Sequence, residues 1–412
     1  MSDPLLPPQR KDPLKMLHLG HTPPRLRSRA AKAMAVRAGQ GRFVLQVCAD
    51  CQTATYPPRD RCPQCWGELR WTDQPQDAVL LAETVVRATT DSFFRGHLPW
   101  RIGTVQFCSG LTAIAHLHGD VATGDAVKMR LVLDRGGNPA FFALPAKETP
   151  NMQDDPQLRV FTAAPKHRRI LVTDGRSRLG QEVALALLNA GAGTVFLGNA
   201  DRLMRFDGMD RMLATPRIDM VPLDMTDSRS CQELAGLIGG RVDVIVNTAS
   251  HVRPGGVSQG SRLSTLQTAM EVNVAGLMRL AQSFGPAMAG RSDDGVNSAA
   301  AFVDVNSVYG MTGKQGFVGF AASAAARLAL VAGLRGEMAA AGIRVTSVLC
   351  GPVDDEWHQT VPSPKVAPAR IAKAVVQVLE QGLEEIYVGD VAEDVAQRWL
   401  KDPLLATREE NQ

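Results

Sequence analysis

The chain has 412 residues, of which 45% are hydrophobic and 21% are charged, a composition that excludes a wholly disordered protein. The net charge is only +3, too small an excess to argue for a nucleic-acid partner. No stretch reaches the roughly 18 continuous apolar residues of a membrane span, and no apolar segment suggests a secretory signal, so we expect a cytoplasmic protein without membrane association.

The first 42 residues are predicted to form a basic arm. Nine lysines and arginines fall within residues 1–42 against two aspartates, and one helix is expected around Arg25–Arg37. Such an arm suits contact with an acidic partner or with phosphate groups. We expect it to be solvated, ahead of the first folded unit.

Four of the seven cysteines form a metal-binding pattern. Cys48 and Cys51 form one C-x2-C pair, and Cys62 and Cys65 form a second pair after ten intervening residues. Two such pairs joined by a hairpin supply four thiolates, a ligand set that Zn²⁺ prefers in closed structural sites. The other cysteines are scattered, which argues against a disulfide framework and fits a reducing compartment. The sequence therefore predicts a structural zinc ribbon over residues 43–75.

Short β-branched segments follow the ribbon and predict a small barrel. Five such segments, separated by Gly, Asp and Asn, lie between Ala78 and Pro145. They fit a closed barrel, and an OB-fold is predicted over residues 76–146. Zinc ribbons and OB barrels also occur in nucleic-acid-binding proteins, so that interpretation stays open. It is weakened because few basic residues accompany the aromatic residues of this segment.

The first half of the chain resembles a known family. The basic helical arm, the cysteine pairs enclosing Tyr56, Pro57, Pro58 and Arg59, and the predicted barrel are similar to the zinc-ribbon/OB-fold accessory proteins of thiolases, over roughly residues 15–148. Members of that family accompany thiolase-fold or aldolase-like acyl-CoA enzymes and help to form the acyl-CoA site. The resemblance implies such a protein as the partner, with acyl-CoA bound at a shared site.

The second half predicts an α/β domain. A polar segment with several prolines, residues 147–167, is expected to be a linker. From residue 168 onward, continuous apolar runs alternate with helical patterns, which indicates a parallel sheet covered on both faces. The predicted architecture is multidomain: a rubredoxin-like zinc ribbon and an OB-fold β-barrel, then an α/β Rossmann-like, doubly wound parallel sheet over 168–395 and a C-terminal tail over 396–412.

The α/β half resembles the short-chain dehydrogenase/reductase family. The phosphate loop of that family matches residues Thr173–Gly180. The resemblance implies that the pyrophosphate of a dinucleotide contacts four residues of this loop: Gly175, Arg176, Arg178 and Gly180. Asp174 and Arg178 stand where the family has glycine, which places a carboxylate close to phosphate charge. These departures weaken the case for NAD(P) as a cofactor.

Further landmarks of the family are retained. Asp224 and Asn247 match residues on the adenine side of its cofactor site. Asn273 matches the helix asparagine of its proton relay, and Ser307 matches its catalytic serine. The resemblance implies that these residues are remnants of a reductase site, although asparagines at turns are also ordinary structural residues.

The catalytic pair of the family is missing. By spacing from Ser307, its tyrosine and lysine should fall at positions 320 and 324, where this sequence has Phe320 and Ala324. The tyrosine must exchange a proton with the substrate oxygen, and an acid–base group contributes about 10²–10⁴ in rate. Tyr309 and Lys314 lie nearby as candidates to substitute for the pair, but their spacing follows no rule of the family.

These observations favour a non-catalytic accessory or scaffold subunit of a thiolase-like or aldolase-like acyl-CoA enzyme. In this hypothesis the zinc-ribbon/OB part shapes the acyl-CoA site, and the pseudo-reductase part serves docking or homo-oligomer formation. One alternative is an NAD(P)-dependent 3-hydroxyacyl-CoA dehydrogenase or reductase with an atypical active site. The other is a nucleic-acid-binding zinc-ribbon/OB protein.

Overall fold

The structure, a computed structural model, describes residues 2–7, 22–23, 28–201, 204–258, 262–291 and 298–412. Much of the predicted basic arm, residues 8–21 and 24–27, lies outside the described residues. The described chain contains a three-stranded ribbon, a closed five-stranded barrel and a seven-stranded parallel sheet. The predictions of a ribbon, of a small closed barrel and of a parallel sheet are confirmed.

The zinc ribbon follows a short helix that packs on the barrel. Helix α1 (Arg29–Gly39) begins at Ser28, whose Oγ accepts a hydrogen bond from the backbone N–H of Ala31. Its Met34 and Ala38 lie one turn apart and are buried in the barrel core. The ribbon has three antiparallel strands with the first in the centre: β1 (Val44–Cys48), β2 (Ala54–Thr55) and β3 (Leu69–Asp73).

The barrel is built from five strands and one short helix. These are β4 (Asp77–Val86), α2 (Ser92–Arg95), β5 (Trp100–Phe107), β6 (Thr112–Leu117), β7 (Ala126–Leu133) and β8 (Pro139–Pro145). The strands close in the order β4-β5-β6-β8-β7. Strand β7 shows the alternation expected of a barrel, because Val127 and Met129 are buried while Lys128 between them is exposed.

The aromatic residues of the barrel segment are core residues. Phe93, Trp100, Phe107, Phe141 and Phe142 are each at most 4% exposed. A base-stacking surface for single-stranded nucleic acid needs exposed aromatic rings. These five side chains therefore provide no such surface.

The segment expected to be a linker is folded and packed. Helix α3 (Pro156–Val160) begins at Asp155, whose carboxylate accepts a hydrogen bond from the backbone N–H of Leu158 at 2.7 Å. Leu158 and Phe161 are buried in one cluster with Trp100 of the barrel. One and a half turns of helix are too short to produce a recognisable period, so the sequence pattern missed the helix.

The α/β half is a parallel sheet with helices on both faces. Its strands are β9 (Arg169–Val172), β10 (Thr194–Asn199), β11 (Ile218–Pro222), β12 (Val244–Asn247), β13 (Ala301–Ser307), β14 (Arg344–Cys350) and β15 (Glu385–Val388). The spatial order is β11-β10-β9-β12-β13-β14-β15, and every pair is parallel. Ile170 and Leu171 of β9 belong to different core clusters, which shows that both faces are covered.

Ten helices in the described part of the chain accompany this sheet. They are α4 (Arg178–Asn189), α5 (Met209–Ala214), α6 (Ser228–Ile238), α7 (Leu263–Ala269), α8 (Gly276–Ala289), α9 (Tyr309–Thr312), α10 (Val318–Met338), α11 (Pro368–Gln381), α12 (Asp390–Lys401) and α13 (Pro403–Glu410). A π-helical turn, Met270–Ala275, joins α7 to α8. The domain boundary expected at residue 395 falls inside α12, and the expected tail forms α13.

One face of the apolar helix α10 packs on the sheet. The segment Val318–Ala341 is long and apolar enough to cross a membrane by length and composition alone. The core helix of a soluble protein passes the same test. Here Phe320, Ala324 and Val331 are buried, and the helix lies against β13 and β14.

The barrel and the α/β sheet are joined through a half-buried arginine. Arg344, at the start of β14, donates hydrogen bonds from Nη2 to the backbone oxygens of Leu133 at 3.1 Å and Phe161 at 3.3 Å. The backbone N–H of Glu384 also donates to the oxygen of Gly39 at 2.7 Å. The ribbon–barrel half is therefore hydrogen-bonded to the sheet.

A buried ion pair organises the carboxyl edge of the sheet. Arg327 of α10 and Asp304 of β13 are 1% and 0% exposed, and Nη2 lies 2.5 Å from Oδ1. The same Asp304 oxygen accepts a hydrogen bond from Asn247 at the end of β12, at 2.8 Å. Asn247 in turn accepts one from the Thr173 hydroxyl at 2.9 Å. A polar chain thus crosses β9, β12, β13 and α10.

We expect Arg327→Ala to lower the free energy of unfolding by about 3–5 kcal/mol, because it leaves the Asp304 carboxylate buried without its cation. Urea denaturation followed by circular dichroism measures the effect. The control is Arg229→Ala, which removes an exposed pair with Glu233 and should change the stability far less. Equal losses for the two variants would contradict the role given to the buried pair.

Candidate functional site

The four predicted metal ligands lie together in the ribbon. The Sγ atoms of Cys48, Cys51, Cys62 and Cys65 all lie within 4.8 Å of one another. Cys48 and Cys62 are buried, whereas Cys51 and Cys65 are exposed. Four sulfurs at this separation fit one tetrahedral ion. The cluster is the one group of three or more potential ligands of this kind found among the residues that the structure describes.

A local contact favours the thiolate form of Cys51. A hydrogen bond with Thr53 lowers the pKa of the Cys51 thiol to about 6, and the thiolate is the form that binds metal. Gly67 allows the chain to pass close to the cluster, since a Cβ there would lie 2.1 Å from Oδ2 of Asp50 and 3.0 Å from Sγ of Cys48. The donor set and its spacing suggest Zn²⁺ in a closed, structural role.

A second candidate site is a cleft at the carboxyl ends of β9, β12, β13 and β14. Its cavity volume is about 100 Å³. Its wall includes Asp174 and Arg178 from the phosphate loop, Ser307 from β13, Phe320 from α10 and His358 from the loop after β14. This is the edge where parallel α/β sheets bind their ligands.

The phosphate loop departs from the glycine pattern of the dehydrogenase family in a way that weakens the case for a pyrophosphate bound in that family's pose. The Asp174 carboxylate lines the cleft and accepts a hydrogen bond from the backbone N–H of Arg176 at 3.1 Å. The N–H of Gly180 is bonded to Ser177 Oγ at 3.1 Å. Burial raises the pKa of Asp174, and an adjacent phosphate would add like charge.

The loop glycines are required by the packing of the chain itself. A Cβ at Gly180 would lie 1.7 Å from the backbone oxygen of Asp174, and a Cβ at Gly175 would lie 2.5 Å from Cγ of Leu197. Both positions therefore need glycine with or without a ligand. Arg176 and Arg178 are exposed beside the start of α4.

Asp224 and Asn247, the residues that match the adenine side of the cofactor site, form hydrogen bonds within the protein. Asp224 Oδ1 accepts hydrogen bonds from the backbone N–H and the hydroxyl of Thr226, at 2.8 and 2.7 Å, and Asp224 is not part of the cleft wall. Asn247 is 1% exposed and bonded to Thr173 and Asp304. Both side chains are engaged within the protein.

Asn273 and Ser307, which match the proton relay and the catalytic serine of the family, also form hydrogen bonds within the protein. Asn273, in the π-helical turn, accepts a hydrogen bond from the backbone N–H of His251 at 2.6 Å and donates to Ser323 Oγ at 2.8 Å. Ser307 lines the cleft, and its Oγ accepts a hydrogen bond from the backbone N–H of Tyr309 at 3.2 Å. Of the two, Ser307 alone borders the cleft.

Neither candidate substitute for the catalytic pair reaches the cleft. Tyr309 is 2% exposed, burial raises its pKa to about 12, and it is absent from the cleft wall. Lys314 forms an ion pair with Glu410 of α13 at 3.1 Å. Phe320 lines the cleft, whereas Ala324 is fully buried.

Sequence reasoning missed the imidazole that borders the cleft. His358 is 3% exposed, and its Nδ1 lies 2.8 Å from Oδ1 of Asp355. Its ring stacks on Phe317 and meets the edge of Phe320, with centroids 5.9 and 6.4 Å apart. The one available signal was the stretch Asp355-Glu356-Trp357-His358 after a predicted strand. No spacing rule of the family points to a histidine in this loop.

We expect one zinc ion per purified chain, measured by inductively coupled plasma mass spectrometry. Cys62→Ser should lower the zinc content well below one and destabilise the ribbon, because three ligands no longer close the site. Cys108→Ser is the matched control, since Cys108 is a free cysteine outside the cluster, and it should retain full zinc. Undiminished zinc in Cys62→Ser would count against the four-cysteine site.

Known proteins match both halves of the chain. Residues 37–70 match the family described as ChsH2, rubredoxin-like zinc ribbon domain, and residues 168–365 match the short chain dehydrogenase family. An uncharacterized oxidoreductase of Staphylococcus aureus strain N315 is 26% identical over 218 residues, which cover 51% of this chain and 90% of that protein. One from Staphylococcus saprophyticus is 24% identical over 223 residues, with the same coverage.

A solved structure supports the assignment of the α/β half. A short chain dehydrogenase from Burkholderia cenocepacia J2315, crystallised in complex with NADP, is 28% identical with a TM-score of 0.54. The match covers 60% of this chain and 98% of that one. The chain therefore carries a rubredoxin-like zinc ribbon domain of the ChsH2 type and a domain of the short chain dehydrogenase family.

Proposed function

We propose that this protein is an accessory subunit of a thiolase-like or aldolase-like acyl-CoA enzyme. The carbon–carbon bond chemistry would reside on the partner chain, and the ribbon and barrel would help to shape the acyl-CoA site. The dehydrogenase-like domain would serve docking or the formation of a homo-oligomer. A cytoplasmic location belongs to the same proposal.

The observation that carries the proposal is the wall of the dehydrogenase-like cleft. Among the described residues, that wall contains neither tyrosine nor lysine. Phe320 presents a ring without a hydroxyl where the family has its proton donor, and Ala324 is buried without a charged group. Loss of an acid–base group lowers rates by about 10²–10⁴, and here both members of the pair are replaced.

The cation nearest to Ala324 in sequence is not suited to the role of the lysine. Arg327 lies one helical turn beyond Ala324, but Nη2 is bonded to Asp304 and to the backbone oxygen of Val305 at 2.9 Å. Arginine also keeps its proton at every physiological pH. Its position and chemistry suit the support of β13 rather than proton transfer.

An exposed aromatic residue beside the metal site supports a partner at the ribbon. Trp66 follows Cys65 directly and is 78% exposed, the most exposed tryptophan in the described chain. Tryptophan is enriched among the residues that contribute most to protein–protein binding. A side chain of this size at a rigid metal-bound turn suits insertion into a partner surface.

A second candidate function is favoured by His358. An imidazole held by a carboxylate borders the cleft whose wall also contains Ser307, and histidine is the side chain most often used for proton transfer in enzymes. Together with the similarity to an NADP-bound dehydrogenase, it supports an NAD(P)-dependent 3-hydroxyacyl-CoA dehydrogenase with an atypical site. Nicotinamide, when bound, would supply the hydride chemistry, and this chain would supply His358 and Ser307 to the substrate oxygen.

We expect the isolated chain to show no NAD(P)-dependent oxidation of 3-hydroxyacyl-CoA above background, measured by absorbance of the reduced nicotinamide. His358→Gln should leave that background unchanged. Turnover by the unmodified chain that falls at least about 10²-fold in His358→Gln would instead establish the second candidate.

We expect the tagged chain, expressed in its own host, to co-purify with a thiolase-fold protein identified by mass spectrometry. Trp66→Ser should reduce the recovered partner at least about tenfold, since it removes an aromatic anchor. Leu237→Ser is the control, because Leu237 is similarly exposed, at 73%, on α6 of the other domain. Absence of any thiolase-fold protein, or equal losses for both variants, would contradict the proposal.

A further inference from the structure

A cavity lies where the ribbon, the barrel and the α/β sheet meet, apart from both sites described above. Its volume is about 370 Å³, within the range of about 300–1,000 Å³ that is typical of small-molecule sites. In its wall, Phe43 comes from the segment before β1, Leu144 from β8 of the barrel, and Leu383 from the segment before β15 of the sheet. A ligand in this cavity would therefore contact all three units at once.

Two basic residues of one strand line the cavity. Lys128 and Arg130 are two positions apart on β7, and both belong to the wall. Residues at this spacing lie on the same face of a strand, about 7 Å apart along it. Val127 and Met129, which alternate with them, are buried in the barrel core, so the two basic residues occupy the outer face of β7. The strand thus brings two positive charges to one ligand-sized space.

The guanidinium of Arg130 forms no hydrogen bond or ion pair within the described part of the chain. Of its three nitrogens only Nη1 is fully buried, so Nε and Nη2 keep accessible surface through which a ligand can reach them. Burial lowers the pKa of Arg130, and the charge of the Glu380 carboxylate opposes that shift without forming an ion pair. A half-buried cation without an acceptor is unfavourable, and an anion in the cavity would supply that acceptor.

Two amide side chains add uncharged donors to the wall. Gln76 precedes β4, and Gln381 is the last residue of α11, so the two amides come from different units. Neither side chain forms a hydrogen bond with another described residue. Among the described residues of the wall, Glu148 is the one acidic side chain, and it is exposed to solvent. The balance of Lys128 and Arg130 against Glu148 leaves the wall with a net positive charge.

We propose that this cavity binds a small dianion, either phosphate or a short dicarboxylate, between Arg130 and Lys128. Arginine offers two parallel N–H groups to an oxyanion, and lysine adds a second positive charge. The amides of Gln76 and Gln381 are able to donate to the remaining oxygens. A bound dianion links the barrel to the end of α11. The site needs neither a partner chain nor a dinucleotide, so it goes beyond the accessory role proposed above.

Isothermal titration of the full chain at constant ionic strength tests the proposal with sodium phosphate, glutarate and acetate. We expect saturable binding of phosphate or glutarate at one site per chain. Acetate should bind at least about tenfold more weakly, because its single charge cannot engage both cations. Tighter binding of phosphate than of glutarate identifies a phosphate group as the preferred ligand, and the reverse order identifies a dicarboxylate.

Two matched pairs of substitutions locate the binding. Arg130→Gln should weaken binding of the tighter dianion at least about tenfold, whereas Arg87→Gln removes an exposed arginine of the same barrel outside the cavity and should bind like the unmodified chain. Lys128→Gln should also weaken binding, and Lys147→Gln, at an exposed lysine outside the wall, is its control. If Arg130→Gln fails to fold by circular dichroism, the two lysine variants still decide, because both lysines are exposed.

Absence of saturable binding by both phosphate and glutarate would overturn the proposal. Affinities left unchanged by Arg130→Gln and Lys128→Gln would do the same, and a loss of binding in Arg178→Gln would then place the anion at the phosphate loop. Neither result depends on a partner protein. Failure of this site and failure of the accessory role are therefore read from different experiments.

Discussion

The buried pair between Asp304 and Arg327 is the constraint on which the α/β half depends. A carboxylate fully removed from water at the centre of a parallel sheet requires a compensating cation, and α10 supplies it. The pair fixes the rotation and height of α10 against β13, and the chain of bonds through Asn247 and Thr173 extends that constraint to β12 and β9. Phe320, about two turns before Arg327 on the same helix, faces the cleft. The charge that supports the sheet cannot also relay protons, because arginine does not release its own.

The same region contains residues of the family pattern that the packing of this chain itself requires. Asn247 and Asn273 keep their positions because each satisfies buried backbone or side-chain groups of this chain. Gly175 and Gly180 remain because any Cβ there would collide with the chain. Such residues survive on structural grounds alone, so their presence says little about cofactor binding. The informative positions are Asp174, Phe320 and Ala324, where this chain has different chemical groups from those of the family pattern.

The two halves of the molecule are connected through the segment that the sequence predicts to be a linker. Residues 147–167 pack on the barrel through Leu158 and Phe161, and Arg344 of the sheet binds the backbone of both Leu133 and Phe161. This arrangement places helix α3 and Arg159 beside the strands of the barrel. The ribbon precedes the barrel in sequence, and its Trp66 is exposed.

The sequence by itself determined the features that local spacing encodes. The two C-x2-C pairs predict a metal site, because each pair forms a turn irrespective of the rest of the fold. Their residues are Cys48, Cys51, Cys62 and Cys65. The alternation of apolar runs and helical patterns determined the parallel sheet, short β-branched runs determined the barrel, and the spacing from Ser307 located Phe320 and Ala324. Only the tertiary structure decided which polar residues meet. Packing of elements distant in sequence brings together three pairs: Asp304 with Arg327, His358 with the cleft, and Arg159 with the strands of the barrel. No local pattern carries that information, because burial and the absence of a partner are properties of the assembled chain.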